Sequence, residues 1–142
     1  MGTYKTIDHT ADIAIEISGS SLEDLFHTAW QAWYETVLGG LKVHSKVRKN
    51  IKLRAATAEE LLVNFLGEVN YWLLVKKWIP AKIEQLEFST GNGLLILETV
   101  VSGQSLNSDK HELQVEVKAV TFHQMEIKQF CNNFSTRLVF DV

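Results

Sequence analysis

Three oxygen-donor groups stand at strand-like ends of this chain. Asp141 and Val142 close the sequence directly after the run Thr136-Arg137-Leu138-Val139-Phe140, so a side-chain carboxylate and an α-carboxylate lie next to each other. Asp12 stands where Asp8-His9-Thr10-Ala11-Asp12 enters a second run, Ile13 to Ile17. Carboxylates gathered at strand ends repel one another unless a hard cation or basic side chains compensate them. The expectation is a divalent cation shared by these groups. Such a donor set suits calcium, magnesium or manganese rather than zinc.

Other reactive residues are fewer. Asp8, His9 and Asp12 fall within five residues, although a loop with an Asx- or ST-type turn and a solvated His9 accounts for them more simply. Lys118-Ala119-Val120-Thr121-Phe122-His123 brings a cation, a hydroxyl and an imidazole together, or is merely a strand that turns. No serine occupies a G-x-S-x-G elbow, and the single cysteine, Cys131, has no recognisable nucleophile context. Walker and G-x-G-x-x-G loops are absent as well. Between Lys42 and Arg54 lie six of the 14 Lys and Arg residues, with no acid from Glu35 to Glu59. That run reads as a solvated strand face guarding a sheet edge, or as a docking surface for an anionic partner or RNA.

The elements that must position these groups follow from periodicity. Ile13, Ile15 and Ile17 alternate with Ala14, Glu16 and Ser18, the pattern of a half-buried strand that puts Asp12 on the face away from the isoleucines. Ser20 with Glu23 forms a capping box ahead of a helix carrying Leu22, Leu25, Phe26, Ala29, Trp30, Trp33 and Val37, ended by Gly39-Gly40. A strand over Val47 to Ala55 leads to a second box, Thr57 with Glu60, and a helix that must stop before Pro80. Lys82 to Ser89 and Leu94 to Val101 flank Gly91-Asn92-Gly93, a hairpin signal. Val115, Val117 and Ala119, then Gln124 to Lys128 and Thr136 to Asp141, read as further strands. The expected fold is α+β: a two-layer sandwich with two amphipathic helices on one face of a mostly antiparallel sheet of about six or seven strands. Asp12, Lys118 and Asp141 would share the face that the helices leave bare.

The 142 residues fit one domain with a sizeable core, and 46% apolar with 22% charged residues excludes general disorder. One cysteine makes no internal bridge, which suits a reducing compartment. No apolar run has signal-peptide or membrane-spanning character, and a net charge of −3 argues against a general nucleic-acid binder. The expectation is a cytoplasmic protein.

Three separate motifs resemble the archease family: Asp8-His9-Thr10-Ala11-Asp12 followed by Gly19-x-x-Leu22-x-x-Leu25-Phe26, then Lys118 to His123, then Phe140-Asp141-Val142. Order, spacing and length agree from end to end. One loop departs from the family pattern: His111 is kept, but Asn107 stands where an acid is usual and Lys110 where arginine is usual. The resemblance implies a non-catalytic partner of the RNA ligase that joins a 3′-phosphate or cyclic phosphate to a 5′-hydroxyl in tRNA splicing and repair, promoting the ligase–guanylate intermediate and broadening its nucleotide use. It implies calcium or another divalent cation on Asp12, Asp141 and Val142. The kept or neighbouring groups Asp8, His9, His111, Lys118 and His123 are expected around the metal or against the partner. Two other readings stand beside it: a small metal-dependent phosphate-ester hydrolase with His123 as base, and a chaperone-like modulator of tRNA-modifying enzymes.

Overall fold

The alternation at Ile13, Ile15 and Ile17 builds a strand whose neighbour comes from the far end of the chain. The computed structural model describes residues 2–7, 12–121 and 125–142. In chain order the elements are β1 (Thr3–Ile7), β2 (Asp12–Gly19), α1 (Leu22–Leu38), β3 (Val47–Ala55), α2 (Ala58–Leu74), β4 (Trp78–Gly91), β5 (Leu94–Ser105), β6 (Ala119–Thr121), β7 (Lys128–Phe130) and β8 (Asn133–Asp141). The α+β class stands, but the strands divide into two sheets. A five-stranded sheet runs β1-β2-β8-β6, with β7 also on β8, and a three-stranded sheet runs β3-β5-β4. All pairings are antiparallel.

Each helix meets both sheets: α1 packs on β1, β2, β8 and β4, and α2 on β3, β4, β5 and β6. This explains why their apolar stripes are so wide. Phe26, Trp33, Phe65 and Leu66 are fully buried, and Phe26 stacks on Phe65 and meets Phe88 of β4 edge-on at 4.8 Å. Burying each such aromatic removes enough apolar surface to contribute roughly 2–3 kcal/mol.

Local chemistry fixes where the elements begin. Helix α1 is capped one residue later than Ser20 and Glu23 suggested: Ser21 is extended, and its hydroxyl accepts from the Asp24 N–H at 3.0 Å. The Asp24 carboxylate reaches back to accept from the N–H groups of Ser20 and Gly2. Burial pushes the Asp24 carboxyl up, but these hydrogen bonds together with the positive charge of the N-terminus outweigh it and hold the group below the usual carboxylate range. Thr57 caps α2 as expected, accepting from Glu60 N–H at 3.1 Å.

The hairpin of β4 and β5 turns on Asn92 and Gly93, both at positive φ, the requirement of a two-residue type I′ loop. Strand β4 starts at Trp78, ahead of the expected Lys82, and carries Pro80 within it. An edge strand with register shifts beside the proline tolerates the missing donor. The alternation at Val115, Val117 and Ala119 does not make a strand before Ala119. Here the backbone bonds to the helices instead: Val117 C=O accepts from the Asn70 side chain at 2.7 Å, and Gln114 N–H donates to Val37 C=O at 2.7 Å. The strand expected over Gln124 to Lys128 does not form there: residues 125–127 are irregular, with the Ile127 N–H donating to the Glu59 carboxylate of α2. Strand β7 shares only Lys128 with that range, and Gln124 lies outside the described residues.

Candidate functional site

Asp12 opens β2 and Asp141 closes β8, and the register sets them directly opposite each other. The next pair inward is Ile13 with Phe140, on the core side. Directly opposed residues of an antiparallel pair share a face, with Cβ atoms about 4.5–5.5 Å apart. The two carboxylates therefore lie side by side on the face that carries Glu16, Ser18, Ser135 and Arg137, away from the helices. Asp12 is half-buried; Asp141 and Val142 are exposed. On the far side of β8, Ala119 pairs with Asp141, and the Lys118 N–H donates to the Asp141 carbonyl at 2.7 Å.

Two opposed carboxylates are a hard, all-oxygen donor set, and a divalent cation between them would turn a repulsive pair into an attractive one. Among the described residues no third His, Cys, Asp or Glu joins them. Further ligands of such a cation would have to come from the neighbouring Val142, from water or from a partner. Asp8, His9 and His123 lie outside the described residues.

The remaining expected site residues fall elsewhere. The Lys118 side chain does not share the bare face with Asp12 and Asp141. It is exposed and lines a groove against α2 with Gly67, Tyr71, Leu74 and Val120. The register gives the cause: Ala119 stands opposite Asp141 and shares its face, so its neighbour Lys118 does not. His111 is buried, and its Nδ1 accepts from the Asn107 N–H at 2.9 Å, which leaves the ring proton on Nε2. Asn107 Oδ1 in turn accepts from the Asp109 N–H at 3.0 Å. Among the described residues these hydrogen bonds stay within the turn, where Asn107 and His111 shape the loop.

Sequence reasoning missed one positioning residue. Asn70 on α2 is buried; its Oδ1 accepts from Trp33 Nε1–H at 3.0 Å while its Nδ2 donates to Val117 C=O. It fastens the segment that enters β6 to both helices. The signal was available: an amide between Val69 and Trp72 in an apolar stripe has to find partners inside the protein.

The profile of the archease protein family (MTH1598/TM1083) matches residues 4–142. The chain belongs to the archease family. Curated archeases align along nearly their whole length: that of Pyrococcus furiosus is 32% identical over 133 residues, covering 91% of this chain and 90% of its own. The Sulfolobus acidocaldarius archease is 30% identical over 142 residues, 100% of each. Among solved structures, an archease and possible chaperone from Thermotoga maritima superposes with a TM-score of 0.69 at 28% identity, covering 97% of this chain and 96% of its own. Protein 1598 of Methanobacterium thermoautotrophicum, at 24% identity, shares the fold with a TM-score of 0.82 over 98% of each chain. Among the described residues of this archease, no helix is long and apolar enough to cross a membrane.

Proposed function

We propose that this archease is a non-catalytic, metal-binding activator of the RNA ligase that joins a 3′-phosphate or cyclic phosphate to a 5′-hydroxyl in tRNA splicing and RNA repair. It promotes formation of the ligase–guanylate intermediate. The observation that supports this most is the Asp12–Asp141 cross-strand pair. The family resemblance of the motifs around it supplies the partner. Asp12, Asp141 and the Val142 α-carboxylate would hold the cation, calcium in the first instance, with magnesium or manganese as substitutes. When bound, the cation supplies positive charge and open coordination positions to oxygen groups of a partner. The chain's own part is to hold two carboxylates in fixed register on an accessible edge. The hydrolase reading rests on His123 as base, which lies outside the described residues.

The test is a guanylylation assay with the ligase, GTP and a divalent cation. The intact chain accelerates ligase–guanylate formation; Asp12→Ala and Asp141→Ala abolish the effect, and so does one residue appended after Val142. A ligase indifferent to the intact chain refutes the reading. The Thermotoga relative is a possible chaperone, which favours a second reading, a chaperone role for this chain without metal. That reading predicts that the appended residue changes nothing.

A further inference from the structure

The face that carries the carboxylate pair holds a second feature, further along the same strands. The row after Ala14 and Val139 sets Lys5, Glu16 and Arg137 side by side across β1, β2 and β8. Beyond it, Thr3, Ser18, Ser135 and Lys128 form a row across four strands. These two rows line a cavity of about 530 Å³, joined at its rim by Glu126. Glu16 is four positions along β2 from Asp12, so this cavity lies about 13 Å from the carboxylate pair at the usual strand rise.

Opposite charges directly across a sheet ordinarily close on one another. Among the described residues no ion pair joins Lys5, Glu16, Arg137, Lys128 or Glu126; the pairs that do form, Lys52 with Glu98 and Lys82 with Glu84, are on the other sheet. The five charged side chains are exposed around the opening, and the Ser18 hydroxyl is held by that of Thr3 at 2.7 Å. Three cations can take the oxygens of a phosphate, and arginine does so with two parallel N–H donors. Two acids on the same wall would repel a bare anion. They accept hydrogen bonds from a ligand that also carries donors, such as sugar hydroxyls or exocyclic amines. The cavity volume falls in the range of small-ligand sites.

We propose that this cavity binds a ribonucleotide, its phosphate on Lys5, Arg137 and Lys128 and its sugar or base donors on Glu16 and Glu126. The inference does not depend on the metal reading, and its test excludes metal. Titration calorimetry of the full chain with GTP in EDTA is expected to show saturable binding. Arg137→Gln weakens it about tenfold, the loss expected for a charge-assisted contact. Lys128→Gln weakens it too, whereas Lys52→Gln, an equal charge change on the other sheet, leaves it unaltered. A short single-stranded RNA with a 3′-phosphate is titrated in parallel. Tighter RNA binding assigns the nucleotide to an RNA end, and tighter GTP binding assigns it to the free pool; both support the site. Three results overturn it: no saturable binding of either ligand, equal losses in Lys52→Gln and Arg137→Gln, or inorganic triphosphate binding as tightly as GTP.

Discussion

Replacing Asp12 by asparagine should stabilise the chain without metal and destabilise it with metal. The register brings Asp12 and Asp141 directly opposite. Like charges so placed cost roughly 0.2–1 kcal/mol. Asp12→Asn removes one charge while keeping the size of the side chain, so in EDTA it should gain about 0.5 kcal/mol. For a chain of this length that raises the melting temperature by about 2 °C. Calcium at a hundredfold its dissociation constant should stabilise the parent by about 2.7 kcal/mol, or about 8 °C. The variant, short of one charged ligand, should keep less than half of that shift, so the two melting curves exchange order between EDTA and calcium. Scanning calorimetry in both buffers reads the exchange. A glycine appended after Val142 separates the contributions: it displaces the α-carboxylate but leaves both aspartates, so it should lose the calcium shift without the gain in EDTA. Equal calcium shifts in parent and variant, or a variant less stable in EDTA, would refute the shared-cation reasoning.

Three further outcomes follow from the fold. Asn70→Leu leaves the Trp33 indole N–H and the Val117 carbonyl unpaired inside the protein; it should cost roughly 2–4 kcal/mol, read as a lower urea midpoint at unchanged slope. In Gly103→Ala the new Cβ runs into the Ile79 carbonyl of the paired strand, a backbone atom that cannot swing aside. It should lose roughly 1–3 kcal/mol by the same measurement. Asp24 is held below the ordinary carboxylate range, so its contribution is present above the unfolded value and is lost as pH falls through the folded one. The urea midpoint of the parent should therefore fall more steeply below about pH 4 than that of Asp24→Asn.

Period-2 patterns carried most of what the sequence disclosed. Ile13, Ile15 and Ile17 on one side and Leu138 and Phe140 on the other each mark a buried face, which puts Asp12 and Asp141 on the opposite one. The same logic misplaced Lys118, because Val115 to Ala119 alternates without being a strand. Its carbonyls and amides are taken by Asn70 and Val37, contacts between residues 47 and 77 positions apart that no local pattern encodes. The division into two sheets was hidden for a related reason. Nothing in the spacing of β5 says that both its edges are occupied by β3 and β4, while β8 pairs with β2, β6 and β7 from the chain's two ends. At α1 the cap moved by one residue because Ser20 and Ser21 compete, and Asp24 serves Ser20, Ser21 and Gly2 together.

The carboxylate pair owes its alignment to the core beneath it. Along β2 and β8, Ile13 faces Phe140, Ile15 faces Leu138 and Ile17 faces Thr136, and these side chains pack under the helices. A slip of one residue would turn Asp141 and Arg137 inward and expose Phe140 and Leu138, so the buried pairs hold the register against it. At several kcal/mol for such an exchange, slipped states are too rare to blur the site. Asp12 and Asp141 stand at the last rung of that ladder, where burial fixes the backbone and solvent still reaches the side chains. An arrangement of this kind opposes two like charges without relying on contacts between them, which is the condition a shared cation requires in its unbound state.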